Sequence, residues 1–249
     1  MSDKQSTEKW RYPRFFSDDI SGENITLNEA DARHAERVLR LENGSPAIIC
    51  DGDEVDYLCA FIGNGVFKIV ESFPNTAEPT VYLRLFQCLP KSDKMDFIVQ
   101  KAAELGVAEI IPVISARCVS RPDEIARNKK VKRWRKIVRE AAKQCGRGKI
   151  PNVGDLVGFE TAVSAFNRHG AGIIFYECGG ERLNRIVEDV KHGGAVDIFI
   201  GSEGGFEVGE IELARTRGIV PVTLGKRILR VETAPIAAIS ILMNLTDNI

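Results

Sequence analysis

From residue 80 onward, short apolar runs alternate with segments of helical periodicity, and this alternation restricts the possible folds more than any other feature of the chain. Val81–Leu89, Glu109–Ile114, Gly172–Glu177, Val196–Ile200 and Ile219–Leu224 are of strand length and mostly apolar. After the first of them, Met95, Ile98, Val99, Ala102 and Leu105 recur at helical spacing, and Gly106 ends that helix. Strands joined through helices of about 10–15 residues run side by side in one direction, so an α/β fold with a mostly parallel sheet is expected. Pro112 should leave one backbone position of its strand unpaired.

Before residue 80 the rhythm differs. Ala47–Cys50, Tyr57–Ile62 and Val66–Val70 are apolar runs divided by turn signals at Asn43-Gly44, Asp51-Gly52-Asp53 and Gly63-Asn64-Gly65. That pattern predicts a small sheet or barrel with tight hairpins. One helix interrupts it: Asn28 can cap a segment through Ala30, His34, Val38 and Leu41, with Arg33, Arg37 and Arg40 along one side. Pro74–Pro79 reads as a linker. The expected organisation is a β domain over 1–75 and an α/β domain over 76–249. An apolar fraction of 44% in 249 residues is enough for both cores.

Several classes are disfavoured. The polar stretch 1–9 has no apolar signal region, and no apolar run approaches the length of a membrane span, so a cytoplasmic protein is expected. Six cysteines occur singly, without a CxxC pair, and read as reduced thiols rather than metal ligands. Net charge is only -1, yet Arg127–Lys149 carries eleven basic residues and the single acid Glu140. Concentrated positive charge in a neutral chain points to a local polyanion site. The segment reads as a helix with an apolar stripe of Val131, Trp134, Val138, Ala141 and Cys145.

Open α/β sheets bind ligands beyond the carboxyl ends of their strands. Two segments suit that position. Ile200-Gly-Ser-Glu-Gly-Gly-Phe206 follows a buried strand, and its glycines permit close backbone approach and positive φ. It matches neither the dinucleotide fingerprint nor the phosphate loop of nucleotide triphosphatases. Leu224-Gly-Lys-Arg-Ile-Leu-Arg-Val-Glu-Thr-Ala-Pro235 opens onto an apolar helix, with Thr233 as a candidate N-cap and Pro235 in the first turn. Within it Arg230 and Glu232 alternate with Leu229 and Val231, which makes them candidates for substrate handling.

Together these two segments resemble the signature of the SPOUT superfamily and, within it, the RsmE family, which methylates N3 of a uridine in 16S ribosomal RNA. Lys91–Phe97 with Lys101–Val107, and Arg139–Arg147, also resemble motifs of that family's catalytic domain. Arg14-Phe15-Phe16 and His34–Leu41 are similar to its PUA-like domain. The similarity covers nearly the whole chain. It departs at Ser202, where the family usually has proline, and at Cys145, where serine is common.

The resemblance implies a PUA-like β-barrel followed by a SPOUT domain with a C-terminal deep trefoil knot, an exception to the rule against knots. It implies S-adenosyl-L-methionine as cofactor, no metal, a homodimer, and 16S rRNA or the small ribosomal subunit as partner. The cofactor pocket would use Gly201, Glu203, Gly204 and Gly205 on one wall and Leu224, Gly225, Ile228, Leu229, Thr233 and Ala234 on the other. Arg230 would stabilise charge developing on the uracil carbonyls. Glu232 would orient Arg230 or take the N3 proton through water. Arg14, Arg33, Arg37, Arg40, Lys91, Lys94, Arg139, Lys143 and Arg147 would contact RNA. Ribose 2′-O-methylation, or a non-catalytic RNA-binding or ribosome-assembly role, are the alternatives.

Overall fold

Glycine turns fold the first apolar runs into hairpins. The computed structural model describes residues 12–166, 170–183 and 194–249; the polar 1–9 stretch lies outside them. Strands β1 (Arg14–Phe16), β2 (Ile20–Ser21), β3 (Asn24–Thr26), β4 (Pro46–Cys50), β5 (Val55–Gly63) and β6 (Val66–Pro74) form a curled sheet in the order β1-β4-β5-β6-β3-β2. Its pairings are antiparallel except β1 with β4. The β5–β6 turn puts Gly63, Asn64 and Gly65 at positive φ, a conformation glycine and asparagine adopt at least cost. Alternate residues turn inward, and Phe15, Ile25, Ile49, Phe61 and Phe67 make the core of this sheet.

The helix expected after Asn28 is shorter than its apolar spacing predicts. Asn28 Oδ1 accepts the N–H groups of Ala30 and Asp31 at 3.1 and 3.0 Å, capping α1 (Glu29–Arg33). The chain then widens into a π turn over His34–Val38, and Arg40 adopts φ +53°. Arg33, Arg37 and Arg40 therefore do not share one side of a helix: the wider turn rotates Arg37, and Arg40 lies past the helical end. Val38, at the end of the π turn, is 67% exposed.

The second sheet contains β7 (Tyr82–Cys88), β8 (Glu109–Ile114), β9 (Asn152–Val153), β10 (Val157–Gly158), β11 (Ala171–Phe175), β12 (Glu181–Arg182), β13 (Ala195–Ile200) and β14 (Val220–Thr223). Their order is β10-β8-β7-β13-β11-β14-β12, with β9 beside β8. Each of these pairings is parallel, as the strand–helix alternation predicts. Helices α2 (Lys94–Glu104), α3 (Glu124–Cys145), α4 (Phe159–Ser164), α5 (Val208–Thr216) and α6 (Thr233–Leu245) connect or follow the strands. Phe86 and Phe199 stack across β7 and β13 with centroids 4.3 Å apart. On α3 the stripe Val131, Trp134, Val138 and Ala141 is buried, and Trp134 Nε1 donates to Asp96 Oδ1 at 3.0 Å.

The chain forms two compact units. One comprises Met1–Glu78 and Ala142–Ile150, the other Pro79–Ala141 and Pro151–Ile249. Unlike the single cut expected at 75/76, the segment 142–150 returns to the first unit. Phe16, Cys50 and Ala142 pack together there. Among the described residues, no helix is long and apolar enough to cross a membrane.

Candidate functional site

Three neighbouring parallel strands end level with one another, and that coincidence makes a cleft. In the order β13-β11-β14, Ile174 stands beside Phe199 and Phe175 beside Val222. The loops leaving their carboxyl ends must emerge on the same side, where sheet ligands bind. They enclose about 240 Å³. Gly201, Glu203, Gly204 and Gly205 stand in one wall, Leu224, Gly225, Ile228 and Leu229 in another, and Ala234 closes the end. Of the residues expected to hold a cofactor, Thr233 alone is not in the lining. It is not the N-cap either: Glu232 takes that position without a side-chain cap bond, and Thr233 already donates its N–H to Arg230 O. The chain turns one residue earlier than the capping rule predicts.

The glycine-rich loop is held from several sides. Gly205 N–H donates to Ser202 O at 2.9 Å, closing a tight turn with Gly205 at φ +67°. Arg117 Nη1 donates to Gly204 O at 2.9 Å, and Ser202, nearly buried, directs its hydroxyl at Arg117 O at 3.4 Å. The hydroxyl thus supplies a tether at the position where proline would supply a fixed φ. Beneath this loop Cys118 is buried, and its thiol is lowered to about 6 chiefly by a hydrogen bond with Cys88, while burial opposes that shift and Ser115 assists it.

Glu203 is the loop's charged residue. Lys91 N–H lies 3.2 Å from both of its carboxylate oxygens, and Lys94 Nζ lies 3.2 Å from Oε1. Burial would raise its pKa, but hydrogen bonds from its own backbone, Lys94 and Lys91 outweigh that and leave it below the usual carboxylate value. Lys94 is shifted upward, mainly by its bond to Glu203.

Arg230 and Glu232 flank the cleft without lining it; Val231 between them is buried and does line it. Glu232 Oε2 sits 3.4 Å from Lys94 Nζ, within ion-pair reach, yet this buried oxygen has no hydrogen bond. Arg230 is exposed at the rim.

The residues expected to touch RNA divide sharply. Arg14 forms a two-bond pair with Asp56 and also donates to Arg147 O at 3.0 Å. Lys143 Nζ is 2.6 Å from Asp31, and Arg147, 4% exposed, grips Glu78 at 2.7 and 3.1 Å. Each of these three cations, expected from the sequence to contact RNA, is paired with a carboxylate inside the first unit. Lys94 is committed to Glu203 and Glu232. Arg139 is half-buried, whereas Arg33, Arg37, Arg40 and Lys91 are exposed. On α3, exposed Lys129, Lys132 and Lys136 line a shallow groove with Ile125 and Ile137.

Sequence reasoning missed Phe175, Tyr176 and Glu177, which line the cleft at the end of β11. The strand itself was legible; its place between β13 and β14 was not. Arg117 was missed because nothing local ties it to Gly204. Among the described residues, no group of three or more His, Cys, Asp or Glu side chains is placed to hold a metal.

Known proteins share this architecture. The RNA methyltransferase domain family matches residues 77–243. A Bacillus subtilis protein named ribosomal RNA small subunit methyltransferase E is 30% identical over 232 residues, covering 90% of this chain and 91% of its own length. The Neisseria gonorrhoeae protein of that name, solved bound to S-adenosyl methionine, superposes with TM-score 0.84 at 31% identity, covering 94% of this chain and 98% of its own. A Legionella pneumophila methyltransferase in complex with bound cofactor SAM gives TM-score 0.85 at 30% identity, with the same coverage. Matched along nearly its full length in sequence and in fold, the chain belongs to the RNA methyltransferase family, in the group of ribosomal RNA small subunit methyltransferase E.

Proposed function

We propose that this chain is an S-adenosylmethionine-dependent methyltransferase of small-subunit ribosomal RNA, acting on N3 of a uridine. The observation that carries the reading is the cleft: the glycine-rich loop and the 224–231 segment, distant in sequence, face each other across it. Its chemistry suits an adenosyl group. Phe175, Ile200, Leu229 and Val231 offer apolar surface for a purine, and the glycines leave backbone groups accessible to its polar edge. Ile228, 85% exposed at the mouth, is an apolar surface that a ligand would cover. Glu177 and Glu203 put negative charge in the wall, which favours a sulfonium cation.

The cofactor, when bound, supplies an already activated methyl group. The chain's own residues must position the base and deal with the N3 proton. Arg230, exposed at the rim, would stabilise the uracil anion through its carbonyl oxygens. Glu232 would orient Arg230 or take the proton through water. The target base must leave its stack to reach this site. The exposed lysines of α3 would hold RNA phosphates, and the arginines after Asn28 would do so on the first unit. A PUA-like role for the first unit, a trefoil knot through the 224–234 segment and a homodimer belong to the same reading; family membership and the resemblance of these motifs support them.

Digestion of small-subunit RNA and mass mapping, with and without the protein, tests the assignment. A methyl group on uracil N3 is expected. A methyl on a ribose 2′-oxygen would replace this reading with the other SPOUT reaction.

A further inference from the structure

One cation that the RNA reading claims as a contact lies instead between the two loops, and the cofactor reading gives it no role. Lys94, at the start of α2, sends Nζ to 3.2 Å from Glu203 and 3.4 Å from Glu232. Glu203 belongs to the glycine-rich loop that walls the cleft, and Glu232 to the segment that carries Arg230. Three residues earlier, the Lys91 backbone N–H also bonds Glu203, so the amino end of α2 is anchored to that loop twice. We propose that Lys94 is a positioning residue: it ties the cofactor loop to the catalytic segment, coupling the seating of the methyl donor to the placement of Arg230 and Glu232, and it does not contact RNA.

The geometry supports this over a phosphate contact. An ammonium is a compact charge that can serve two carboxylates from different directions. Each of the three groups is about one-third exposed, at 33%, 27% and 33% for Lys94, Glu203 and Glu232. Partly exposed pairs of this kind add little to global stability. Their effect is local. Without the cation, two carboxylates face each other with like charge, and the loops they ride on are pushed apart. Small displacements of positioned groups are costly to turnover even where binding changes little.

The inference rests on the methyl-donor reading, and its test separates the two. Wild type, Lys94→Met, Lys94→Arg and Glu203→Gln are titrated with S-adenosylmethionine by calorimetry, assayed for kcat on small subunits, and titrated with RNA over a range of salt. Thermal melting checks that each is folded. For Lys94→Met, cofactor affinity should fall about fivefold and kcat on the order of 100-fold, with the salt slope of RNA binding unchanged. Lys94→Arg should recover part of both losses. Adding Glu203→Gln to Lys94→Met should cost less than the sum of the single changes, because both remove the same tie. Unchanged cofactor affinity and kcat, with a salt slope reduced by about 1, would make Lys94 a phosphate contact and overturn the proposal. If wild type itself binds no S-adenosylmethionine, it is the underlying reading that has failed.

Discussion

Gly205 leaves no room for a Cβ beside Oε1 of Glu177, so the glycine-rich loop after β13 rests directly against the carboxylate two residues beyond β11. Gly205 also holds φ +67°, where an L side chain is strained. Gly205→Ala must therefore shift the loop or displace Glu177. Cofactor affinity should fall by roughly 10-fold or more, from about 1–3 kcal/mol of strain and displacement. The same strain should lower the melting temperature by about 2–4 °C per kcal/mol without unfolding the protein at the temperature of the titration. Calorimetric titration of the folded variant checks this.

Arg230 and the cofactor wall are separable. Arg230 is exposed and outside the cleft lining, while its neighbours Leu229 and Val231 are within it. Arg230→Ala should lower kcat by about 100-fold or more, the scale of one electrostatic donor, and leave S-adenosylmethionine affinity within about twofold. Equal losses in both would place Arg230 in cofactor binding instead.

The Lys94–Glu203 pair sets a pH window. Glu203 is depressed in the folded protein, so its contribution is present above the ordinary carboxylate value of about 4.3 and is lost as pH falls through its lower folded value. Lys94 is raised, so its contribution is complete below about 10.4 and is lost as pH rises through the higher folded value. With respect to this pair, cofactor affinity should stay level from about pH 5 to pH 10 and weaken on the acid side only below that range. Titrations across pH with the fold monitored by circular dichroism provide the check.

Two classes of cation predict opposite phenotypes. Arg147 is buried against Glu78, and Glu78→Ala would leave its charge without that partner. A loss of about 3–5 kcal/mol in stability is expected, with no change in the salt slope of RNA binding for protein that remains folded. Lys129, Lys132 and Lys136 are exposed on α3. Changing all three to alanine should leave stability nearly unaltered and reduce the slope by about 2. Urea denaturation and salt-dependent binding distinguish the two.

Much of this was legible in the sequence, and what was not has a common cause. The runs at Val81–Leu89, Glu109–Ile114 and Val196–Ile200 announce strands, and the cap at Asn28 forms as its side chain dictates. These are local features. The glycine-rich loop was recognisable because positive φ at Gly205 and close packing at Gly201 and Gly204 leave a compositional mark. Arg14, Lys143 and Arg147 read as free cations because their partners Asp56, Asp31 and Glu78 lie 42, 112 and 69 positions away. Glu177 entered the site only through the order β13-β11-β14, which no periodicity encodes. The π turn at His34–Val38 follows an apolar spacing that an α-helix would share.

The central claim is that the cleft between residues 201–205 and 224–231 takes a methyl donor. Titrating the full-length protein with S-adenosylmethionine in a calorimeter tests it most directly, alongside Leu229→Glu, which puts a charge into the apolar wall. Saturable binding of one molecule per chain, lost in the variant, is the expected result. No binding, or binding indifferent to Leu229→Glu in a folded protein, would contradict it.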